Sequence, residues 1–468
     1  MGGRCFLGRF APILPAAAVT LVAGCALQAP PAGEELEREA FGQVLPPDAW
    51  TAAATAPGPV GDGWLGDFGD ATLEALVDEA LGHNADLRAA SARVEQAATY
   101  VRIAGGNLYP DLNAIGRASV NDGASSAPLN IGALNASWEL DVWGRVRYGR
   151  RAAEDAYASA AADLAYARQS LAATVVRAWI TATEARLQRS LAQDSLGSAD
   201  KLLSLAEDRL RVGVGSELEV ALARASRDDF RDSIRQLDLG LEQALRALEL
   251  LVGRYPSAEV ETASTLPAMQ GAVPAGIPAE LLERRPDVIA ARQRVAAAFD
   301  RVGEAQAARL PRISLNAGGS YIDSDTFVLQ DRDNPVWSVG LGLVMPLYAG
   351  GALKSQVELR TLEQKEAVAA YASVGLRAFG EVEGALAGER AAHERIEILE
   401  ARVRDNQRAL ELENIRYRVG SADLRSVSQQ QILLYGSQAS LLRVRAERLA
   451  QRVALHLALG GNFGATNG

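Results

Sequence analysis

The chain has 468 residues and a formal net charge of −10, from 48 Lys and Arg against 58 Asp and Glu. That acidity excludes a nucleic-acid reader, which carries a basic stripe. Two cysteines and three widely separated histidines exclude a thiolate or imidazole metal cluster, and the length allows one large core or two.

Residues 1–24 read as a processing signal. Arg4 and Arg9 give a positive start, and an apolar stretch from Ala11 to Ala23 follows. It is too short for a committed membrane span. It ends Leu21-Val22-Ala23-Gly24-Cys25, which resembles the acylation box of bacterial lipoproteins and makes Cys25 the expected lipid attachment site. The alternative is a plain secretory signal cleaved nearby. Ala26, in place of Asp, favours outer-membrane sorting by the same resemblance. Cys5 leaves with the signal, so the chain after Cys25 has no cysteine, and loss of Arg4 and Arg9 takes the charge from −10 to about −12. Residues 25–60 are rich in Ala, Pro and Gly and predict an extended linker.

From there the sequence nearly repeats itself. Residues 85–110 match 286–311 at an offset of about 201, through Asp86/Asp287, Ala89/Ala290, Arg93/Arg294, Val101/Val302 and Pro110/Pro311. At an offset of about 207, RLRVG (209–213) answers RYRVG (416–420), and Gly253 answers Gly460. Such a period implies a duplicated large unit rather than a solenoid. The expected organisation is a first repeat over 61–255 and a second over 256–468, the latter opening with a helix at about 279–308.

Proline placement predicts the content of each repeat. None occurs from Leu129 to Tyr255, nor from Leu347 to the end. Proline costs about 3 kcal/mol inside a helix, and Ala, Leu, Arg, Glu and Gln fill both runs, so very long helices are expected. Each run breaks once, near Gly213 and near Gly420, giving two helical hairpins. A stack of ordinary helices is the alternative.

Four alternating segments lie between the helical runs, at about 111–120, 130–141, 312–322 and 336–348. In the third, Ile313, Leu315, Ala317, Gly319 and Tyr321 share a face opposite Ser314, Asn316, Gly318 and Ser320. In the fourth, Trp337, Val339, Leu341, Leu343 and Met345 oppose Ser338, Gly340 and Gly342. The first two are weaker versions. Ten-residue alternation with turn residues between predicts tilted membrane strands, with Trp138, Tyr321, Trp337 and Tyr348 suited to an aromatic belt. A small soluble sheet is the alternative. In lipid a sheet has to close. Bacterial barrels need at least eight strands, so four per chain predict a barrel shared among chains.

The motifs SWELDVWGRVR (137–147), LLERRPDVIAA (281–291), LPRISLNAGGSY (310–321), PLYAGG (346–351) and the two RVG turns make the chain resemble the TolC-like outer-membrane efflux channels, in particular the lipoprotein (OprM-like) branch of tripartite drug pumps. The resemblance implies a mainly α fold with a small membrane β-barrel portion. It implies a homotrimer with a twelve-stranded barrel on a helical tunnel, in the outer membrane of a Gram-negative bacterium. The implied partners are a periplasmic adaptor and an inner-membrane RND pump, with no cofactor and no active site. Arg211, Val212 and Gly213, and Arg418, Val419 and Gly420, then fall at the adaptor-contact tips. Tyr417 matches a tyrosine that latches the periplasmic mouth, and Glu219 stands at its partner position, so a Tyr–Glu hydrogen bond is expected; two solvated surface groups are the alternative. Some relatives carry acidic rings six and nine residues past the second tip glycine. Here those positions are Ser426 and Gln429, with Asp423 and Arg425 nearby and Ala422 where some relatives have Arg.

An enzyme reading finds little. Gly350-Gly351 and Gly105-Gly106 lack the Lys-Ser/Thr of a phosphate loop, and GGS (318–320) lacks the frame of a nucleophile elbow. His83, His393 and His456 read as surface or packing residues. The pairs Glu381/Glu383 and Asp228/Asp229 read as solvated faces or inter-helix pairs. The rival functions are a type I protein-secretion conduit and a periplasmic adaptor or structural coiled-coil lipoprotein.

Overall fold

The computed structural model describes residues 27–31, 33–42, 47–52, 60–118, 129–268, 271, 273–324 and 335–464. The signal, Cys25 and the segments 119–128 and 325–334 lie outside the described residues.

The helices are α1 (Glu34–Phe41), α2 (Ala71–His83), α3 (Ala85–Gly106), α4 (Arg145–Arg211), α5 (Glu217–Val252), α6 (Pro278–Arg284), α7 (Pro286–Ala307), α8 (Ala352–Arg418) and α9 (Leu424–Ala458). The strands are β1 (Asp111–Arg117), β2 (Leu129–Leu140), β3 (Arg312–Ser324) and β4 (Val336–Val344). The fold is mainly helical with four antiparallel strands. α3 and α7 have 22 residues each, and α4 and α8 have 67 each. Proline-free runs of good helix formers became uninterrupted helices, as their propensities require.

Two expectations need correction. The helix expected over about 279–308 is two, because Pro286 keeps Arg285 extended (φ −79, ψ 119) and starts α7 at its own position. The extended linker contains α1, and its Leu36 and Phe41 are buried. Three acids in the first turn support the helix N-terminus, and Phe41 packs its ring on Tyr371 at 5.6 Å.

The chain divides into two compact units, and each draws on both halves of the sequence. The first comprises 1–43, 93–161 and 290–372 and holds the sheet, in the order β1-β2-β3-β4. The register brings the expected apolar set onto one face. Leu112, Ala136, Ala317 and Val339 form one cross-strand row, and Ala114, Leu134, Gly319 and Trp337 the next. The opposite face carries Asn113, Asn135, Gly318 and Ser338 in one row and Asp111, Ser137, Asn316 and Gly340 in another, interrupted toward the turns by Ile115 and Val336. Trp138 lies near the helix end of the sheet. Tyr321 pairs with Gly132, six residues further along β2, or roughly 20 Å at ~3.3 Å per residue. The Trp337 ring covers Gly319, where a Cβ would stand 2.5 Å from it. β4 ends two residues before Pro346, which has no N–H for a ladder.

The second unit comprises 44–92, 162–289 and 373–468. Its main core gathers Trp64, Leu73, Val77, Val175, Trp179, Ile180, Leu248, Val252 and Val453 from α2, α4, α5, α9 and the approach to α2. Each such side chain contributes roughly 1.5–3 kcal/mol on burial. Between residues 47 and 52, Trp50 is buried with Nε1 donating to Ala275 O at 3.0 Å.

Candidate functional site

The two hairpin tips are built to one plan. α4 ends two residues before Gly213 (φ 82) and α8 two residues before Gly420 (φ 79), left-handed positions that glycine occupies without strain. Three residues past each glycine an N-cap opens the return helix. At the first tip, Ser216 Oγ accepts from Glu219 N (3.3 Å) while Glu219 Oε2 accepts from Ser216 N (3.1 Å), a capping box. At the second, Asp423 Oδ1 accepts from Ser426 N (2.9 Å) and from the Ser426 hydroxyl (2.7 Å). The serine hydroxyl and N–H hold the Asp423 carboxyl below its usual range.

Arg211, Val212 and Gly213 and their counterparts Arg418, Val419 and Gly420 all lie exposed at these ends. Arg211 pairs with Asp208 at 2.9 Å. Val212 and Val419 are 71% and 73% exposed, an apolar rim that Val214 extends at the first tip. Asp423, Arg425, Ser426 and Gln429 are exposed on the cap and first turns of α9.

Below the turns the hairpins share a small core of Leu202, Leu203, Ala206, Val220, Ala223, Tyr417, Leu424 and Val427. Tyr417 is 1% exposed, so it is not a solvated group. The expected hydrogen bond to Glu219 is not formed. Glu219 is committed to its capping box, and the Tyr417 hydroxyl has no hydrogen-bond partner among the described residues. The guanidinium of Arg209 on α4 lies over the Tyr417 ring at 4.8 Å instead. Burial raises the phenol's pKa, and the nearby Glu219 charge adds to the rise. The signal for Glu219 was in the sequence, since Ser216-x-x-Glu219 is the capping-box pattern.

The other motifs are structural nodes. In SWELDVWGRVR, Asp141 caps α4 by accepting from Val146 N (3.0 Å) and Arg147 N (2.9 Å), Arg145 grips Glu139 through two bonds of 2.9 and 2.7 Å, and Trp143 Nε1 donates to Pro311 O at 2.7 Å. Gly144 makes the reversal with φ 78. In RPDV, Arg285 is fully buried and donates to both oxygens of Asp287 (2.8 and 3.0 Å), to Ala458 O (3.4 Å) and to the Tyr166 hydroxyl, and pairs with Glu381. Glu383 accepts from the backbone N–H groups of Thr51 (2.8 Å) and Ala52 (2.7 Å). These two acids therefore anchor segments rather than a solvated face, whereas Asp228 stays exposed beside Arg227 and Arg231.

His83 and His393 are exposed, while His456 is buried and stacked on Trp64 at 5.6 Å. Burial, with Arg452 nearby, lowers the His456 pKa to about 4, so its ring is neutral. Among the described residues no group of three or more metal-ligating side chains comes together, and no helix is long and apolar enough to cross a membrane. What the arrangement offers is a half-apolar sheet whose two edges have no strand partner among the described residues, and a pair of capped, packed hairpin ends.

Known proteins share this arrangement. The family model described as outer membrane efflux protein matches residues 76–254 and 277–461. The chain is 31% identical over 456 residues to the pyoverdine export outer membrane protein OpmQ of Pseudomonas putida, covering 93% of each. It is 28% identical over 409 residues to the cation efflux system protein CusC of Escherichia coli, covering 86% of this chain and 88% of that one. Among solved structures it is similar to the open state of the Neisseria gonorrhoeae MtrE outer membrane channel, with TM-score 0.82, 26% identity and coverage of 94% and 99%. It is also similar to the outer-membrane channel OprN, with TM-score 0.79, 25% identity and coverage of 94% and 98%. The chain belongs to the outer membrane efflux protein family, the outer-membrane component of tripartite efflux pumps.

Proposed function

We propose that three copies of this chain, two repeats each, build one passive export channel, anchored in the outer membrane through an acylated Cys25. The supporting observation is the sheet. It has one continuous apolar face and two edges, β1 and β4, with no strand partner among the described residues. In hydrocarbon each unpaired backbone group costs several kcal/mol, so those edges need partners. Joining β4 of one chain to β1 of the next, three times over, closes twelve strands, within the range of bacterial barrels. The apolar face meets lipid, and the Asn, Ser and Gly rows line a polar lumen.

The hairpin ends form the periplasmic mouth, where a periplasmic adaptor docks and an inner-membrane RND pump supplies the energy. The exposed Val212 and Val419, flanked by Arg211 and Arg418, are the contact points. Cargo is a small molecule, in keeping with relatives described for pyoverdine, cation and toluene efflux. The channel holds no cofactor. It lets cargo diffuse once the mouth is splayed.

Native mass of the membrane-extracted protein in mild detergent, with separation of inner from outer membrane, tests this reading. A lipidated trimer in the outer-membrane fraction is expected. A monomer, or an inner-membrane location, would favour the adaptor or structural coiled-coil lipoprotein instead. A trimer that co-purifies with a type I exporter rather than an RND pump would make it a protein-secretion conduit.

A further inference from the structure

Glu219 is not free to latch the hairpin tips. Its carboxylate is held by its own helix cap, and the Tyr417 hydroxyl is buried with no hydrogen-bond partner among the described residues. Four polar atoms meet this condition near the tips: Tyr417 Oη, Arg209 Nε, Glu413 Oε2 and Ser428 Oγ. Glu413 lies one turn before Tyr417 on α8, so both face the same way. Among the described residues no hydrogen bond joins the two hairpins at this level. Splaying would admit water to these atoms, so polar desolvation pushes the tips apart. What opposes it is the apolar cluster around Tyr417 and the contact of Arg209 with the ring face at 4.8 Å. Arg209 is on the first hairpin and Tyr417 on the second; the ring is buried and Arg209 half-buried, and this partial desolvation strengthens attraction between a cation and a ring. Arg209 is also fixed from behind, because its backbone carbonyl accepts from Val214 N and Gly215 N and its guanidinium reaches Val214 O at 3.4 Å. The tip turn thus aims the guanidinium.

We propose that Arg209 is the gating clamp of this channel, gripping the face of the Tyr417 ring, and that the tyrosine hydroxyl takes no part. The clamp rests on the channel reading above and replaces a hydrogen-bonded latch with an aromatic one. Release requires only that the adaptor pull the first hairpin's tip outward. No proton transfer or ion is needed.

Single-channel recording in planar bilayers tests it, alongside entry of a large antibiotic such as vancomycin into cells carrying each variant. Arg209→Gln and Tyr417→Leu should raise the open population roughly tenfold, the scale expected for loss of a partly desolvated cation–π contact. Tyr417→Phe keeps the ring and should match the parent protein, and Arg209→Lys should fall between. Native mass confirms assembly of each variant. If Tyr417→Leu fails to assemble, Arg209→Gln against Tyr417→Phe decides alone. The proposal is overturned if Tyr417→Phe opens the channel as Arg209→Gln does, or if Arg209→Gln behaves as the parent. Absence of any conductance from the parent and every variant would instead sink the channel reading, and the clamp with it.

Discussion

The two halves of the chain meet one geometrical demand with different chemistry. Where α5 ends, Gly253 (φ 88) lies against the end of α2, and a Cβ there would stand 3.1 Å from His83 O. Where α9 ends, Gly460 (φ 70) lies against Arg285, and a Cβ would stand 3.2 Å from its Cα. Beside the first glycine, Asn84 Nδ2 donates to Leu251 O at 3.1 Å. At the corresponding place Arg285 Nη1 donates to Ala458 O at 3.4 Å. The backbone approach and the carbonyl contact are common to both halves, while an amide serves in one and a buried guanidinium in the other. The same divergence occurs one turn back. Glu249 and His456 occupy equivalent positions at the offset of about 207, and both are buried. Glu249 accepts three backbone N–H bonds, from Ala258, Glu259 and Val260, at 2.7, 2.7 and 3.2 Å. His456 instead stacks on Trp64, and neither ring nitrogen has a hydrogen-bond partner among the described residues. Glycine positions and carbonyl contacts follow from how closely two helices approach. The polar side chain filling the space beside them is free to differ.

The largest contrast should come from the first pair. Arg285→Ala leaves Asp287 and Glu381 without their buried cation and should cost about 3 kcal/mol. Asn84→Ala, which removes a helix cap and one carbonyl contact, should cost about 1 kcal/mol. Thermal unfolding in detergent compares them, and equal costs would break the contrast.

The second pair should separate by pH. The unfolded chain binds a proton on His456 near its ordinary value of 6.5, whereas the folded ring resists until about 4. Stability therefore falls as pH drops from 6.5 to 4, by roughly 3–3.5 kcal/mol at most, and levels off below. Burial pushes the Glu249 pKa up, but its three N–H bonds outweigh that and hold it below 4.5. Its contribution is present above that value and is lost as pH falls through the lowered one. Asp300 acts in the opposite sense, because burial raises its pKa to about 6 despite Arg151 at 3.1 Å, so it loses stability as pH rises from 3.8 to 6. The difference curve between the parent and His456→Leu isolates the histidine. It should slope only between pH 6.5 and 4, and a flat difference would refute the neutral buried ring.

At the tips the halves should respond alike to one change and differently to another. Gly213→Ala and Gly420→Ala each place a side chain at positive φ and should each cost about 1 kcal/mol. The smallest effect concerns the caps. Ser216→Ala should cost about 0.5–1 kcal/mol at any pH. The Asp423 cap should weaken only in acid, as pH falls through a carboxyl value already lowered by Ser426. Hydrogen exchange of the Glu219 and Ser426 amides would read the two caps separately.

Much of this was legible beforehand. Absence of proline announced the long helices, and period-two alternation placed the apolar face that the strand register assembles. α1 was hidden in an Ala-Pro-Gly composition, because burial of Leu36 and Phe41 is a tertiary effect. The break at Arg285 was marked by Pro286, but apolar periodicity continues through it and reads as one helix. The site residues were found as positions rather than as interactions. Exposed tips follow from the glycines. The Tyr417 environment does not, because Arg209 is some two hundred residues away in sequence. No local pattern distinguishes a ring under a guanidinium from a ring bonding a carboxylate.

In the channel proposed above, the four strands are one chain's share of a barrel closed by several chains. The chain has no cysteine after Cys25, so new pairs can be read without interference. Cysteine pairs placed on the two sheet edges, Asn113 on β1 with Ser338, Gly340 or Gly342 on β4, would be oxidised in intact outer membranes and run on non-reducing gels. β1 and β4 of one chain are separated by two strands, at ~4.8 Å per strand step, beyond disulfide reach. At least one pair should therefore yield a covalent trimer that collapses to monomer on reduction. Monomers in every pairing, or a bond within a single chain, would contradict the shared barrel.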